Sequence, residues 1–220
     1  TTSFTDAGVG FDVVATNTGV TTILVTPRAA CVGRAKNVTF ARTLLQGETF
    51  SMRDNNAVNP SELAGSIVSA DQPITVTISG SIRTSTALCP SYFADQITTS
   101  AEIGKQHIII KGEGTSDVAY VLAPLNSTSL TITTGTGTIN WLINTGETYS
   151  VNITGLTYIE TDKPVYVTHV SGYGCKLSGA QVTPAYCAGS YTTAFTRLSN
   201  DSLNLNLYTR NGFQNTFTLT

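Results

Sequence analysis

Two short phrases of this chain occur twice in the same order, and this recurrence constrains the fold more than any other feature. Residues 44–52 read LLQGETFSM and residues 143–151 read INTGETYSV. Farther along, SADQPITVTI at 69–78 is matched by ETDKPVYVTH at 160–169. Self-similarity in a fixed order is the signature of repeated structural units. The sequence therefore predicts an internal duplication of one supersecondary unit.

The two copies share a third, weaker match, and they differ by one insertion. TTILVTP at 21–27 resembles AYVLAP at 119–124, and we expect the two segments to correspond. The first copy is eight residues longer between the two strong phrases, and the extra residues fall around RDNNAVNPSE at 53–62. Insertions between repeats usually lie in exposed loops, where they carry function or drift neutrally.

Apolar residues alternate with polar ones in short runs bounded by Gly, Asn and Pro, and helical periodicity is almost absent. Each copy spans about 90–100 residues, the usual size of one β-sandwich. The sequence predicts an all-β fold of two tandem antiparallel β-sandwich units, at 1–100 and 101–190. The predicted strands are Phe11–Ala15, Thr22–Thr26, Val38–Leu44, Ser66–Ser69, Ile74–Ile78, His107–Lys111, Val118–Ala123, Ser129–Thr133, Ile139–Ile143, Thr148–Asn152 and Val165–Val170.

The last segment, 191–220, predicts a C-terminal β-hairpin. LNLNL at 203–207 alternates cleanly, and apolar residues continue on odd positions after Asn211-Gly212. A three-residue loop ending at Gly212 would pair Leu205 with Phe217 and place the apolar residues on one face. This hairpin either closes the second unit or opens a truncated third.

The composition points to an extracellular protein and excludes several classes. Charged residues make up 12% of the chain, against about 25% in typical domains. The net charge of −2 argues against nucleic-acid binding, which needs a basic surface. No apolar run approaches the ~20 residues that span a membrane. Thr1 is not an initiator Met and no signal peptide is visible at the start of the sequence, so we expect a processed or excised piece of a longer product.

The four cysteines predict disulfides in an oxidising compartment. We favour the pairs Cys31–Cys89 and Cys175–Cys187, because each then stays near one repeat; reduced, buried thiols are the alternative. No Cys-x-x-Cys motif occurs, and neither His has a metal-ligand spacing from a Cys, so we expect no metal site.

Nothing in the sequence predicts a catalytic residue or a cofactor. Gly and Glu of G-E-T, and Asp and Pro of D-x-P, are typical of turns that lead into strands. His107 precedes an apolar run and His169 follows one. Both are predicted to be core or edge residues with hydrogen-bonded ring nitrogens. Trp141 also lies on a predicted strand, where a core position is favoured over a sugar-binding platform. No nucleophile elbow and no paired carboxylates are visible.

The segment 171–191, SGYGCKLSGAQVTPAYCAGSY, is the strongest candidate for a binding site. It is rich in Gly and Tyr, and a Cys175–Cys187 bond would staple it. Tyr offers a large amphipathic contact area at low entropy cost. A rigid connector between domains is the alternative. The predicted ligand-binding residues are Tyr173, Lys176, Gln181, Tyr186 and Tyr191.

The phrases LAGSIVSADQPITVT, YVLAPLNSTSLTI, GETYSV and ETDKPVYVTHVSG, followed by the Gly/Cys segment, resemble the IgGFc-binding protein N-terminal domain family over most of the chain. The resemblance implies a secreted or surface-attached β-rich module with a protein or glycan ligand and no catalytic residues. We therefore expect a non-enzymatic adhesion or binding module. A self-associating subunit of an extracellular filament or matrix is the alternative, followed by a secreted glycan-active enzyme.

Overall fold

The computed structural model describes residues 10–31, 33–53, 63–82, 91–173 and 176–186, together with 194, 200, 205–207, 209 and 212–218. The chain divides into two compact units, Thr1–Gly189 and Ser190–Thr220. The first unit contains fourteen strands among its described residues, and every strand pairing is antiparallel. The fold is all-β, as the sequence predicts.

Seven strands form a first pair of sheets, one with the order β4-β1-β6-β7 and one with the order β3-β2-β5. We call them the first sheet pair. The strands are β1 (Gly10–Ala15), β2 (Val20–Thr26), β3 (Phe40–Leu45), β4 (Thr49–Arg53), β5 (Ile67–Ala70), β6 (Ile74–Ile82) and β7 (Ser91–Gln96).

The remaining seven strands form the second sheet pair, in which one long strand belongs to both layers. β13 pairs with β10 and β8 in its first part and with β9 and β14 in its second part. Its register shifts between Glu160 and Val165. The strands are β8 (Gly104–Ile109), β9 (Ser116–Leu122), β10 (Thr128–Thr134), β11 (Gly137–Ile143), β12 (Thr148–Asn152), β13 (Thr157–Tyr173) and β14 (Lys176–Gln181).

Each sheet pair encloses its own hydrophobic core. Val13 of β1 and Val25 of β2 are fully buried in the first core, and Val121 of β9 and Ile132 of β10 are fully buried in the second. These side chains alternate with exposed or half-buried ones, because successive residues of a strand point to opposite faces of its sheet. Burial of these β-branched residues is the main force holding the layers together.

The two sheet pairs share their strand partners and their register. The order β3-β2-β5 of the first pair corresponds to β11-β10-β13 in the second, and the order β4-β1-β6-β7 corresponds to β12-β9-β13-β14. β13 therefore takes the places of both β5 and β6. Ile23 of β2 lies opposite Ala70 of β5, as Leu130 of β10 lies opposite Thr161 of β13. β8 has no counterpart among the described strands of the first pair.

The third and weakest sequence match is wrong. AYVLAP lies in β9, whose counterpart is β1, whereas TTILVTP lies in β2. The glycine N–H of each G-E-T phrase shows the true correspondence: Gly47 donates to Ala15 of β1, and Gly146 donates to Ala123 after β9, both at 2.8 Å. The two segments look alike because each is an apolar strand that ends before a proline.

The repeated glutamates close equivalent turns. Glu48 Oε2 accepts the backbone N–H of Leu45 at 2.7 Å, and Glu147 Oε2 accepts that of Asn144 at 2.7 Å. The glycine before each glutamate has a positive φ, 81° in the first copy and 75° in the second. A side chain in this left-handed region meets the backbone, so glycine is favoured there. These bonds give the glutamates the structural role that the sequence predicts.

The repeated aspartates tie a second pair of turns to the neighbouring strand. Asp71 Oδ1 accepts the N–H of Thr22 at 2.8 Å, and Asp162 Oδ1 accepts the N–H of Ser129 at 2.7 Å. In each case the carboxylate satisfies a backbone donor at the point where the chain changes from one sheet to the other.

The two sheet pairs touch through β7 and β14. Phe93 of β7 packs on Val170 and Leu177, which face away from the second core. Gly65 also lies against the turn after β11, where a methyl group added at Gly65 would stand 2.6 Å from the Cα of Gly146. The contact therefore depends on small residues as well as on apolar packing.

The second compact unit contains a short 3₁₀ helix, Gln214–Thr216, where the sequence predicts a strand. The Phe213 carbonyl accepts both the backbone N–H and the hydroxyl of Thr216, at 3.2 and 2.7 Å. This local turn satisfies groups that a hairpin would pair across strands. Neither Leu205 nor Phe217 lies in a strand, and most of the other residues of the predicted hairpin lie outside the described set.

Candidate functional site

The only Trp of the chain is an exposed side chain of the second sheet pair. Trp141 of β11 is 53% exposed, and its ring centroid lies 5.3 Å from that of Tyr149 on β12. Ile139, two residues earlier on the same face of β11, is also exposed. We call Ile139, Trp141 and Tyr149 the aromatic surface.

The position of β11 explains why Trp141 is exposed. Trp141 lies opposite Leu130, which is fully buried, so its side chain points toward the core side of the sheet. β11 and β12 are the last strands of their two sheets, and no described strand lies beyond either one. The prediction of a core position for Trp141 is therefore wrong, because alternation reveals the face of a residue but not whether its strand is an edge.

The first sheet pair carries an aromatic contact on the equivalent strands, and there it is capped. By register Phe40 takes the place of Ile139 and Phe50 that of Tyr149, while Arg42 takes the place of Trp141. Phe40 and Phe50 lie 5.8 Å apart, and the guanidinium carbon of Arg34 stands 4.1 Å above the Phe40 ring. Arg34 belongs to the long connection between β2 and β3, at residues 27–39. The equivalent connection between β10 and β11 has only two residues, so it supplies no such cap for Trp141.

The aromatic surface has the chemistry of a binding site. Trp and Tyr provide rigid, largely apolar contact area, and they dominate the energetics of many protein interfaces. The same ring faces can stack on the apolar side of a sugar. Contiguous apolar patches on a protein surface often mark the place where a ligand or partner binds.

A buried acid and a histidine form a pair that the sequence analysis missed. Asp117 Oδ1 lies 2.6 Å from Nε2 of His169, and the Asp117 side chain is fully buried. The N–H of Gly112 donates to the same oxygen at 3.2 Å, while Oδ2 has no hydrogen-bond partner among the described residues. The segment DVAYVL alternates, and this alternation places Asp117 on the core face together with Ala119. An acidic residue at a core position was the sequence signal that could have revealed the pair.

His107 of β8 lies in the second sheet pair with 1% exposure. Burial lowers the pKa of its imidazole to about 4, since the apolar surroundings disfavour the charged form. A core position is what the sequence predicts, but Nδ1 finds no hydrogen-bond partner within the described part of the chain. His107 is thus a neutral core side chain at physiological pH.

The structure distributes the predicted ligand-binding residues over a hairpin. Tyr173 ends β13 and is 62% exposed, and Lys176 begins β14 directly opposite it. Residues 171–173 and 176–181 are therefore strand, although no strand is predicted there from the sequence. The alternation of apolar and polar residues is not visible there, because Gly and Ser, which occur in turns more often than in strands, interrupt it.

The other predicted residues lie away from Tyr173 or outside the described set. The Gln181 side chain donates to Thr98 Oγ1 at 2.9 Å, and its backbone N–H donates to Asp95 at 2.7 Å, both in the first half of the chain. Tyr186 is exposed, and its hydroxyl donates to the carbonyl of Ile103 at 3.1 Å. Tyr191 lies outside the described residues.

The predicted disulfides and the inserted loop fall mostly outside the described residues. Cys31 is buried, with its Sγ 3.5 Å from the carbonyl oxygen of Ala29. Cys89, Cys175 and Cys187 are outside the described set, and so is 54–62 of the insertion. Both cysteine pairs remain predictions.

Within the described ranges, no cluster of three or more His, Cys, Asp or Glu side chains could hold a metal ion. In the same residues, no helix has the length and apolar character that crossing a membrane requires.

Comparison with known proteins identifies a family. The family model described as IgGFc binding protein matches residues 1–218, nearly the whole chain. No similar protein was found among curated proteins or among solved structures.

Proposed function

This chain belongs to the IgGFc binding protein family, and we propose that it is a non-enzymatic extracellular module that binds a ligand at a cell surface. The proposal includes an adhesive role, with a protein as the favoured ligand, since the family is described by a protein that it binds. A glycan is the alternative ligand, and the binding experiment below distinguishes a protein ligand from a glycan.

One observation carries the proposal: the aromatic surface is open in the second sheet pair, although the matching contact in the first is capped by Arg34. The two sheet pairs otherwise share topology and register. An apolar surface that is covered in one copy and left open in the other is best explained by a ligand.

We also propose that the two sheet pairs are tandem sandwich units that arose by duplication. The equivalent bonds made by Glu48 and Glu147, and by Asp71 and Asp162, support this origin. Under the same proposal, Cys31–Cys89 and Cys175–Cys187 form disulfides in the oxidising extracellular compartment.

A non-enzymatic role is supported by the use of the carboxylates that line two surface grooves in the described part of the chain. Asp95 lies in the first groove and already accepts the backbone N–H of Gln181. Glu160 lies in the second and accepts a hydrogen bond from the Gln106 side chain at 3.0 Å. Glycoside hydrolysis needs two carboxylates that face one cleft and are free to react. Glu102 lines the first groove together with Asp95, and of these two Asp95 is already bound to the backbone of Gln181.

The single Trp makes the binding test direct. The protein is first screened against immobilised antibody Fc, extracellular matrix proteins and a glycan array. Each ligand that binds is then titrated while Trp fluorescence is recorded. We expect ligand to shift Trp141 emission to shorter wavelength and to reduce acrylamide quenching, because binding removes the indole from water.

Two variants locate the site. Trp141→Ala is expected to weaken binding by about tenfold or more, as truncation of an interface Trp often costs 2 kcal/mol or more. Leu142→Ala is the matched control, since Leu142 is the next residue, is 62% exposed and points to the opposite face. Equal affinity of Trp141→Ala and wild type would overturn the assignment of the aromatic surface.

A filament or matrix subunit is the second candidate, favoured by a different surface. Val20, Leu24, Leu45 and Ile67 are exposed on the outer face of the sheet β3-β2-β5. Self-association would bury them. Electron microscopy of the full-length protein should then show ordered fibres that Leu24→Lys abolishes, and a monodisperse monomer at high concentration would rule this candidate out.

A further inference from the structure

We propose that Asn37, in the connection between β2 and β3, is an acceptor site for an N-linked glycan, and that folding leaves this site open while it closes two other acceptor motifs. The proposal rests on the proposed extracellular location, because proteins acquire N-linked glycans on the way to the cell surface. It concerns a covalent modification of the first sheet pair, whereas the aromatic surface belongs to the second.

The acceptor motif Asn-x-Ser/Thr occurs four times in the chain. Three of the motifs carry Thr and begin at Asn37, Asn126 and Asn152. The fourth begins at Asn200 and lies partly outside the described residues. A chain rich in Asn and Thr forms such motifs by chance, so the sequence alone does not select among them. The structure distinguishes the first three.

All three residues of the first motif are exposed to solvent. Asn37, Val38 and Thr39 end the connection at 27–39, and Val38 is 56% exposed. Within the described ranges, the Asn37 side chain makes no hydrogen bond. A transferase can therefore reach the Asn37 amide and the Thr39 hydroxyl together, and both groups belong to the motif that it recognises.

The turn at Asn37 is held by its main chain. The φ of Asn37 is 59°, in the left-handed region that Asn tolerates better than most residues. Its N–H donates to the carbonyl of Pro27 at 2.7 Å, and the N–H of Val38 donates to the carbonyl of Ala35 at 3.4 Å. A glycan on the side-chain amide leaves these bonds intact, so the folded turn accommodates the modification.

Folding closes the second and third motifs. Thr128 is fully buried, and its hydroxyl donates to the carbonyl of Leu125 at 2.8 Å. Ile153, the middle residue of the third motif, is 2% exposed, and its N–H donates to the carbonyl of Asp117 at 2.9 Å. Neither segment can enter the active site of another enzyme without local unfolding. Of these three motifs, the one at Asn37 stays accessible in the folded protein.

The modification is a group transfer from a lipid-pyrophosphate-linked oligosaccharide, catalysed by an oligosaccharyl transferase. The side-chain nitrogen of Asn37 forms a bond to the anomeric carbon of the first sugar. The bond between that carbon and the pyrophosphate oxygen breaks, and the lipid pyrophosphate leaves with the electron pair. The amide nitrogen gives up one proton, so no oxidant or reductant is needed.

Peptide mapping tests the site. The full-length protein is directed into the secretory pathway of cultured animal cells, and both the secreted and the retained protein are digested. An amidase that cleaves the glycan from asparagine is used in heavy-oxygen water, so that each modified Asn becomes a mass-labelled Asp. We expect the label at Asn37 in most molecules and a much lower occupancy at Asn126 and Asn152.

Four variants separate the motif from its surroundings. Asn37→Asp removes the acceptor nitrogen but keeps a residue that tolerates left-handed backbone, so we expect loss of the glycan with an unchanged circular dichroism spectrum. Thr39→Ala should also lose the glycan, whereas Thr39→Ser keeps the hydroxyl and should retain it. Lys36→Gln is the matched control, since Lys36 is exposed and lies next to the motif but outside it.

An unmodified Asn37 would overturn the proposal, and so would a glycan that persists in Thr39→Ala. Occupancy of Asn126 or Asn152 as high as that of Asn37 would show that folding does not select the site, which also overturns it. Because the retained protein is mapped as well, a failure of secretion counts against the extracellular role and leaves the result for Asn37 readable.

Discussion

His107 holds an imidazole inside a β-sheet core where a leucine or isoleucine would ordinarily lie. Because its side chain is buried beside Ile159, the neutral form is strongly favoured. The nearby pair of Asp117 and His169 differs, because there a buried carboxylate accepts a hydrogen bond from the ring. Two histidines of one sheet pair thus have different environments: His107 is buried among apolar side chains, whereas His169 is partly exposed and pairs with Asp117.

The pKa of His107 predicts a loss of stability in acid. The folded-state pKa is about 4, below the 6.5 of the unfolded chain, so between these values only the unfolded state gains the proton. Stability is therefore fully present above pH 6.5 and falls as the pH is lowered toward 4, by about 3 kcal/mol in total. Urea unfolding across this range measures it.

The variant His107→Leu isolates this contribution. Leucine has a similar volume and does not titrate, so the free energy of unfolding of the variant should fall less steeply than that of wild type between pH 6.5 and 4. Other acid-sensitive groups are common to both proteins and cancel in the comparison. Parallel pH curves would show that His107 is protonated in the folded protein as readily as in the unfolded one.

At the scale of the element, the G-E-T phrase forms a turn in which a glycine with positive φ precedes a glutamate. The glutamate side chain accepts a backbone N–H at the end of the preceding strand. Glu48 closes this turn in the first copy and Glu147 in the second. The same sequence produces the same turn because the bond of the glutamate spans only three residues. The glycine N–H then anchors each turn to the neighbouring strand, at Ala15 or at Ala123.

Removal of the cap should therefore cost a similar amount in both copies. Glu48→Ala and Glu147→Ala are each expected to lower the free energy of unfolding by about 1 kcal/mol, the usual net value of one hydrogen bond. Glu48→Gln keeps an acceptor oxygen and should lose less. Urea denaturation measures the three variants, and a Gln variant as unstable as the Ala variant would show that the backbone bond to Leu45 contributes little.

The strands that alternate clearly were predictable, and those with distant partners were not. Phe11–Ala15 and Thr148–Asn152 were predicted almost to the residue. β4, β7 and β14 were missed; β14 is rich in small and polar residues, and β7 mixes Tyr92 and Phe93 with polar ones. The same limit applies to the candidate site: alternation indicates the face of Trp141, but its exposure depends on which strand ends the sheet.

At the scale of the whole molecule, the contact between the sheet pairs relies on a close approach of two glycines. Gly65 has a φ of 83°. A Cβ atom at this position would collide with the backbone of Gly146, so only glycine fits. Together with Phe93 on Val170, this contact joins two cores that are otherwise separate. The relation between the sheet pairs was not predictable, because no local pattern encodes it.

Gly65→Ala should consequently be more harmful than the same change at Gly47. Both glycines have a φ near 80°, so both variants share a backbone strain of about 1 kcal/mol. Only the Gly65 methyl would meet backbone, at 2.6 Å, whereas Gly47 has nothing within 4 Å. We expect an additional loss of about 1 to 3 kcal/mol, measured by denaturant unfolding. Equal losses would mean that the sheet pairs separate without cost.

The continuity of β13 has a mechanical consequence. In the first sheet pair the chain leaves one layer at β5 and enters the other at β6, with Asp71–Pro73 between them as a joint. In the second, a single strand of 17 residues runs through both layers. Tension that pulls one layer from the other can open the first pair at its joint, but in the second it must tear hydrogen bonds along β13. Under such tension we expect the first sheet pair to open before the second.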